Sequence, residues 1–248
     1  MDSTVVSDKA TSRWTKVLEL AATVTLLCIG AGMFWRNQTN PAPAVRAASA
    51  SAIDLSVPTT PISIEGDEAR GSTRASVVLI EYSDFQCPFC ARAALNILPE
   101  VIKEYVDTGV VLLVFKHLPL QFHTQAAGAA AASVCAAQQG KFWEAHDALF
   151  ADSRRLGEED LRDSMSRIGV NMASYDSCRK AKTADERVEA NRSEAARLGI
   201  SGTPAFLVGH KIDSGSTVRI AATMAGARPI AEFRKVLDSE LRQVGSKR

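Results

Sequence analysis

A chain of 248 residues, 46% hydrophobic and 23% charged, has ordinary globular composition and is long enough for one or two hydrophobic cores. Its formal net charge of +1 gives no electrostatic reason to expect a nucleic acid as a partner. Five cysteines, two of them in one Cys-x-x-Cys pair, argue against a small secreted scaffold held together by many disulfides.

An apolar segment and then a stretch rich in proline, alanine and serine set the first 60 residues apart. As a helix, residues 14–35 would rise about 32 Å, close to the hydrocarbon thickness of a bilayer, with tryptophans at both interfaces. Basic residues before this segment favour a cytoplasmic N-terminus. We therefore predict a cytoplasmic N-terminus over 1–13, a transmembrane signal anchor over 14–35 and a flexible linker over 36–60. A cleaved signal peptide is the alternative.

The folded part begins with a short predicted strand at 62–64 and a polar loop over 65–74. Residues 77–82 form an apolar, partly β-branched segment that is typical of a strand buried on both faces. A helix follows, and Pro99 should kink it. The apolar residues 110–115 predict a second buried strand, so this part forms a β-α-β unit with two parallel strands.

A Cys-x-x-Cys pair stands where the first buried strand ends and the helix begins. Pro88 suits a first helical turn, so Cys87 should take the N-cap, beside free backbone N–H groups and the positive end of the helix dipole. This position should lower the pKa of Cys87 below its ordinary value of about 8.5 and make it the exposed nucleophile. Cys90 should be the better buried thiol that resolves a mixed disulfide.

Three other interpretations of this pair stay open. One is half of a zinc site, although no second Cys-x-x-Cys supplies the remaining ligands. Another is a copper-carrier site that adds a nearby histidine. The third is a structural disulfide, which would gain little stability from closing so short a loop.

The region after the second buried strand reads as helical throughout. The predicted helices cover 124–139, 142–150, 158–168, 174–182 and 185–198. We expect strands at 205–210 and 217–222 to come next and to pair antiparallel, and an amphipathic helix over 229–243 closes the domain.

Cys135 and Cys178 both fall in this helical region. Two thiols in one extracytoplasmic domain tend to pair, so we favour a structural disulfide between them. Two buried free thiols, or a second redox pair, are the alternatives. The histidines show no metal-ligand spacing: His117 and His123 are expected near the active face, and His146 at the surface or at a helix cap.

Four segments together resemble the DsbA-like branch of the thioredoxin superfamily: Glu81–Cys90, Phe115–Leu120, Gln139–Trp143 and Ser201–Phe206. They are spread over about residues 61–243. The resemblance implies an α/β, thioredoxin-like fold for a domain over 61–248, with a helical domain inserted at about 122–199. It implies no dissociable cofactor, and we expect no metal.

The resemblance also assigns roles around the cysteines. It implies a cis peptide bond between Thr203 and Pro204, with Pro204 facing the cysteine pair and the Thr203 backbone pairing with an extended substrate. A trans proline at a strand start is the alternative. Glu81 would be a buried acid that accepts the proton of Cys90, unless a neighbouring tyrosine, serine or lysine satisfies it structurally.

Two phenylalanines flank the nucleophile. Phe85 and Phe89 are expected to be partly exposed and, together with Pro88, to shape an apolar surface for substrates. Phe89 also occupies the dipeptide that tunes the reduction potential in this family, where strong oxidants often carry histidine. The resemblance therefore does not imply a strongly oxidising enzyme.

We predict a membrane-anchored, extracytoplasmic thiol:disulfide oxidoreductase that introduces disulfides into exported proteins through Cys87 and Cys90. Its partners would be extended, cysteine-containing polypeptides and a membrane redox partner, which is a quinone-linked oxidase or, for a reductase, an electron donor. The catalytic domain would lie in the periplasm or on the outer face of the cytoplasmic membrane. A reductase or isomerase of the same fold, a metal-handling module and a chaperone are the alternatives.

Overall fold

The computed structural model describes residues 55–212 and 215–245. The predicted cytoplasmic N-terminus, the predicted anchor and most of the predicted linker lie outside these residues. Within them, no helix is both long enough and apolar enough to cross a membrane. Leu55, the first described residue, packs against the folded domain, and its carbonyl accepts a hydrogen bond from the Thr223 hydroxyl.

A six-stranded sheet forms the centre of the domain. Its strands are β1 (Ile62–Ser63), β2 (Glu68–Arg70), β3 (Val77–Ser83), β4 (Val111–His117), β5 (Ala205–Lys211) and β6 (Thr217–Ala225). They lie in the order β1-β6-β5-β3-β4-β2. Strands β3 and β4 are the parallel pair of the predicted β-α-β unit, and β5 and β6 are antiparallel. The predicted thioredoxin-like α/β architecture is therefore confirmed for the described residues.

Strand β3 is the central element of the sheet. All of its residues are buried, because β4 and β5 pair with its two edges and helices cover both faces. Side chains alternate between these faces, so Val77 and Leu79 join one core cluster whereas Val78 and Ile80 join another. The same alternation puts Glu81 on the face of Leu79.

The helix that starts at the cysteine pair is broken near Pro99. Helix α1 (Pro88–Asn96) ends at Ile97, whose φ and ψ are −116° and −54°. A short helix α2 (Leu98–Val101) and a π-helical turn (Ile102–Val106) continue the chain. Proline has no N–H to donate to the preceding turn, and this accounts for the predicted interruption.

Five helices lie between β4 and β5, where the sequence predicts a helical insertion. They are α3 (Ala126–Ala137), α4 (Phe142–Ala151), α5 (Glu158–Arg167), α6 (Met172–Ala181) and α7 (Thr183–Arg197). A disulfide between Cys135 and Cys178 joins α3 to α6, the pairing that the sequence favours. The last described helix, α8 (Ile230–Gly245), packs its buried Phe233 and Leu237 against the sheet.

The prediction of an uninterrupted loop over 65–74 is wrong. Within it, β2 pairs antiparallel with β4 as a short edge strand. Its side chains are only partly buried, so its sequence lacks the apolar alternation that indicates a strand.

A buried ion-pair network joins α7 to the sheet. The ammonium group of Lys116 lies 2.6 Å from a carboxylate oxygen of Asp67 and 2.7 Å from one of Glu194, and it donates to the Ser63 carbonyl at 2.8 Å. The Tyr82 hydroxyl donates to Glu194 at 2.6 Å. The side chains of Lys116 and Asp67 are each 3% exposed, and Asp67 also accepts from Arg187 at 2.8 Å and from Asn191 at 3.0 Å. Removing Lys116 therefore takes the cation from Glu194 and leaves Asp67 with Arg187 alone.

Replacing Lys116 with methionine should lower the free energy of unfolding by about 3 kcal/mol, the low end for a broken buried ion pair, because Asp67 keeps Arg187 whereas Glu194 keeps only the Tyr82 hydroxyl. Chemical denaturation of the full-length protein, followed by circular dichroism, measures this loss. Lys141→Met is the matched control: Lys141 pairs with Glu144 at an exposed site, so its loss should stay below about 1 kcal/mol. Equal losses in the two variants would contradict a stabilising role for the buried network.

Candidate active site

Cys87 occupies the N-cap of α1. Its φ and ψ of −76° and 121° are extended, and its carbonyl accepts the N–H of Ala91 at 3.0 Å, so the helix begins where the sequence predicts. Cys87 and Cys90 are both free thiols in this structure. Cys87 is only 4% exposed and Cys90 is fully buried, so the nucleophile is more enclosed than predicted. The cause is the loop before β5, which packs against its sulfur.

This enclosing loop carries Thr203 and Pro204. The peptide bond between them is cis, as the resemblance implies. The Cys87 thiol donates a weak hydrogen bond to the Thr203 carbonyl, with sulfur and oxygen 3.5 Å apart. The buried Pro204 accepts the N–H of Gly226 through its carbonyl at 2.8 Å, which ties the loop to the end of β6.

The surroundings of Cys87 stabilise its thiolate. A hydrogen bond from the Cys90 thiol lowers the pKa of Cys87 to about 6, against the opposing effect of burial. The Thr203 side chain and the backbone N–H groups of Phe89 and Cys90 act in the same direction. At neutral pH, Cys87 is therefore mostly in the reactive thiolate form.

Cys90 behaves in the opposite way. Burial raises the pKa of its thiol well above the ordinary range, and the adjacent Cys87 thiolate raises it further. Cys90 therefore keeps its proton at neutral pH and donates it to the Cys87 sulfur. One thiolate and one thiol, a single turn apart, form the arrangement that thiol–disulfide exchange requires.

Glu81 is a fully buried acid on the strand that leads to the cysteines. Neither carboxylate oxygen has a hydrogen-bond partner in the described structure, so no neighbour satisfies it, and Lys116 points to the opposite face. Burial raises the pKa of Glu81, and nearby His146 and Ser83 partly offset this rise. The Ser83 side chain also lowers the pKa of Cys90, so it lies near both groups, although its hydroxyl is not within hydrogen-bond geometry of either.

Two histidines line the same buried region. His117 lies opposite Ser83 in the β3–β4 register, and burial lowers its pKa to about 3, so it is neutral. The prediction that His146 lies at the surface or at a cap is wrong, because it is only 3% exposed. It is on the inward face of α4, with ring-centroid distances of 5.5 Å to Phe115 and 6.2 Å to Phe142.

Phe85 belongs to the core rather than to a substrate surface. It is 1% exposed, and its ring centroid lies 4.8 Å from that of Phe150 and 5.5 Å from that of Phe115. The predicted exposure is wrong because the helical insertion covers the turn after β3. Phe89 is 55% exposed and Pro88 is also exposed, so these two form an apolar rim beside the nucleophile.

The turn before Cys87 also holds the loop that follows β4. The buried carboxylate of Asp84 accepts the backbone N–H groups of Gln86 at 2.7 Å and Leu120 at 2.8 Å, and it lies 2.8 Å from Nδ1 of His123. The Gln86 side chain accepts the N–H of Gln125 at 2.8 Å. The sequence does not predict these hydrogen bonds between the turn and the loop, because an acid after a strand is equally typical of an ordinary turn.

The loop after β4, which these hydrogen bonds hold, presents Phe122 to solvent. This side chain is 75% exposed, although its ring is large and apolar. Phe89 lies exposed on α1, and Phe122 lies exposed on the loop after β4. The hydrogen bonds of Asp84 and Gln86 hold this loop against the turn that leads into α1. The sequence marks Phe122 only as one residue of a loop, and nothing local separates it from an incidental surface phenylalanine.

In the described part of the chain, no three His, Cys, Asp or Glu side chains are grouped so that they could hold a metal ion. The four ligands of a closed structural zinc site are therefore not brought together around Cys87 and Cys90 by these residues.

A family sequence model described as thioredoxin matches residues 63–228. Among solved structures, alpha-DsbA1 of Wolbachia pipientis has a TM-score of 0.63 at 22% identity, over 74% of this chain and 94% of that one. BdbD of Bacillus subtilis, in its oxidised form, has a TM-score of 0.61 at 22% identity, over 75% of this chain and 98% of that one. At such identities the likeness shows the fold alone.

Curated relatives include a protein of Salinispora tropica named Na(+)/H(+) antiporter NhaA 3, which is 37% identical over 173 residues. This match covers 67% of the present chain and 26% of the relative. A protein of Salinispora arenicola named Na(+)/H(+) antiporter NhaA 1 is 32% identical over 75% of this chain and 29% of its own length. The chain thus spans less than a third of these relatives.

Cys87 should titrate with a midpoint near pH 6 when the ultraviolet absorbance of its thiolate is followed in the reduced full-length protein. A Cys28→Ala background removes the thiol outside the described residues. Cys135 and Cys178 do not contribute to the titration as long as their disulfide stays intact. In this background, Cys90→Ala should raise the midpoint towards about 8.5, because Cys90 gives the largest stabilisation of the thiolate. An unchanged midpoint would show that the helix terminus alone sets the pKa.

The low pKa of Cys87 also predicts a pH dependence of stability. Its stabilising effect is fully present above the unfolded-state pKa of about 8.5 and is lost as the pH falls through about 6. Denaturant unfolding of the reduced protein at several pH values should therefore show wild type losing stability relative to Cys87→Ser as the pH is lowered through this range. A difference that stays constant with pH would contradict the depressed pKa.

Proposed function

Because the chain belongs to the thioredoxin family and has the fold of its DsbA-like members, we propose that it is a protein thiol:disulfide oxidoreductase. The observation that carries this proposal is the pair of free thiols at the start of α1, with the Cys87 sulfur against the cis Thr203–Pro204 peptide. This placement lowers the pKa of Cys87 and raises that of Cys90. The Cys87 thiolate supplies a nucleophile at neutral pH. The Cys90 thiol supplies the group that ends each exchange.

In the direction we favour, the oxidised cysteine pair donates its disulfide to an exported protein. A substrate thiolate attacks the Cys87 sulfur, the Cys87–Cys90 bond breaks, and Cys90 leaves as a thiolate that takes up a proton. A second substrate thiolate then attacks the substrate sulfur of the mixed disulfide, and Cys87 leaves as a thiolate. Two electrons pass from the substrate to the enzyme, and the substrate leaves with a disulfide.

The stabilised thiolate supports the oxidising direction. A disulfide is reduced more readily when one of the product thiols is a stable anion, so a low pKa makes the oxidised enzyme a stronger oxidant. The value of about 6 for Cys87 lies between about 7 for thioredoxin and about 3.5 for the strong oxidant DsbA. We therefore expect a reduction potential between about −270 mV and about −120 mV.

Substrates would bind as extended polypeptides beside the nucleophile. The exposed rings of Phe89 and Phe122 support this proposal, because they offer apolar contacts on α1 and on the loop after β4. The backbone at Thr203, whose carbonyl already touches the Cys87 sulfur, would pair with the substrate as an added strand. Glu81 would exchange a proton with Cys90.

The location and the redox partner are parts of the same proposal. Residues 14–35 would anchor the chain in the cytoplasmic membrane with the catalytic domain outside, and a quinone-linked membrane oxidase would restore the Cys87–Cys90 disulfide. The relatives named as Na(+)/H(+) antiporters do not add ion exchange to it, because the match covers only 26% of the Salinispora tropica protein.

A disulfide reductase or isomerase is the second candidate. Phe89 favours it, since an apolar ring beside the nucleophile adds no positive charge that would stabilise the thiolate further. In that case the Cys87 thiolate would attack a substrate disulfide, and a membrane electron donor would keep the pair reduced.

Equilibration with glutathione buffers should give the Cys87–Cys90 couple of the full-length protein a potential less negative than about −270 mV. Wild type should also oxidise a reduced two-cysteine peptide. In a Cys28→Ala background, Cys90→Ser should accumulate a mixed disulfide with a peptide that carries an activated disulfide, since no second thiol resolves it.

Cys87→Ser is the matched control and should neither oxidise the peptide nor trap it. A potential at or below that of thioredoxin would overturn the oxidase direction and favour the reductase. Peptide oxidation that survives the loss of Cys87 would overturn the oxidoreductase proposal itself.

A further inference from the structure

Four buried side chains near Cys90 carry polar atoms that have no hydrogen-bond partner within the described residues. These atoms are both carboxylate oxygens of Glu81, the hydroxyl of Ser83, Nδ1 of His117 and Nε2 of His146. Buried polar groups are nearly always paired, so several unpaired ones in one region call for an explanation.

The four side chains surround one small region. Strand pairing sets Ser83 opposite His117 and Glu81 opposite Phe115. The ring centroid of Phe115 lies 5.2 Å from that of His117 and 5.5 Å from that of His146. Strands β3 and β4 and helix α4 therefore bring the four groups around the Phe115 ring, next to the buried thiol.

His146 differs from the other three because it also reaches the surface. Its Nδ1 lies 2.8 Å from a carboxylate oxygen of Asp147, whose side chain is 70% exposed, whereas the His146 side chain itself is 4% exposed. Its other nitrogen, Nε2, is buried and unpaired. Among these four side chains, in the part of the chain that the structure describes, only His146 bonds to an exposed partner.

We propose that His146 and Asp147 relay protons between solvent and Glu81, and through Ser83 to Cys90, during disulfide exchange. The proposal rests on the proposed function, since it needs the thiol of Cys90 to gain and lose a proton in each cycle. His146 acts on the sulfur only through Glu81.

Exchange creates a need for such a path. When Cys90 leaves as a thiolate, its charge is buried, and a buried charge without a partner is unstable. Glu81, whose pKa is raised by burial, neutralises the thiolate by giving up a proton. Glu81 then becomes the unpaired buried anion, so it must regain a proton before the next cycle.

The relay balances over one catalytic cycle. When the disulfide is reduced, one proton moves from Glu81 through the Ser83 hydroxyl to the Cys90 thiolate. Glu81 regains a proton from Nε2 of His146, and Nδ1 takes one from solvent through Asp147. When the pair is oxidised again, each transfer runs backwards and one proton returns to solvent. The relay moves no electrons.

The other titratable groups around this region do not supply the same path. On β4, His117 is neutral because burial lowers its pKa to about 3, and the charge of Arg187 on α7 adds to this effect. On α1, Cys87 is the partner in the reaction itself. The Asp84 carboxylate already bonds to Leu120 and His123 in the loop after β4, and Lys116 faces the other side of the sheet.

His146→Gln tests the relay, because glutamine keeps a polar side chain but cannot carry a proton through a ring. The oxidised full-length protein is mixed with glutathione, and the reaction is quenched with acid and alkylated at set times. His146→Gln should slow reduction by about tenfold or more, and the loss should grow as the pH rises and solvent protons become scarce. The reduction potential should stay at the wild-type value, because a relay speeds both directions equally.

Three further variants separate a relay from a packing role. Asp147→Asn, at an exposed site, should fold like wild type and should also slow reduction, by less than His146→Gln. The double variant Glu81→Gln/His146→Gln should be no slower than Glu81→Gln alone, because both changes interrupt one path.

His210→Gln is the matched control. His210 also bonds to a carboxylate, that of Glu240, at 2.8 Å, and also has an unpaired ring nitrogen. His210 pairs with Val77, at the opposite end of β3 from Ser83. The His210→Gln variant should therefore be reduced by glutathione at the wild-type rate.

A wild-type rate in His146→Gln and Asp147→Asn would overturn the relay and leave the proposed function intact. So would a slower rate that is independent of pH and accompanied by a shifted potential, since that pattern indicates disturbed packing. If wild type does not react with glutathione at all, the proposed function fails first.

Discussion

The site depends on how little negative charge its buried interior can hold. Three acids, Cys87, Cys90 and Glu81, lie within a few side chains of one another in a region closed to water. Cys87 has the strongest set of donors for an anion, namely the Cys90 thiol and the backbone N–H groups of the first helical turn. Burial raises the pKa values of the other two, and it raises that of Cys90 well above the ordinary range. Of the two cysteines, the one at the start of the helix therefore carries the negative charge.

The helical insertion creates this closed region. Helix α4 contributes Phe142, His146 and Phe150, and together with Phe85 and Phe115 these rings cover the end of β3. A disulfide joins α3 to α6 within the insertion. The buried ion-pair network joins α7 to the strands and so holds the insertion against the sheet. The pKa values of the cysteines therefore depend on contacts that lie far from them along the chain.

The sequence predicts best what local chemistry determines. Apolar, β-branched residues predict the two central strands, and a cysteine followed by Pro88 predicts the start of α1 at Cys87. The resemblance implies the cis bond before Pro204. Each of these needs only neighbouring residues or one motif.

What the sequence does not predict depends on which surface the insertion covers. Phe85 is buried rather than exposed, and His146 faces inward rather than towards solvent, because α4 packs over the turn after β3. The hydrogen bonds that Asp84 accepts from the loop after β4 join residues 36 and 39 positions apart. No periodicity in the sequence reports contacts at such separations, so these features appear only in three dimensions.

Strand β4 carries opposite chemistry on its two faces, and this fixes its alignment with β3. Lys116 points to Asp67 and Glu194, whereas its neighbours Phe115 and His117 point to the region under the cysteines. A slip of one residue would exchange the faces and place a buried ammonium group opposite Glu81. Such a slip would separate the lysine from its carboxylates and put a phenylalanine against them. The ion-pair network thus stabilises the observed register of β3 and β4, in which the positive charge of Lys116 lies on the face away from the cysteine sulfurs.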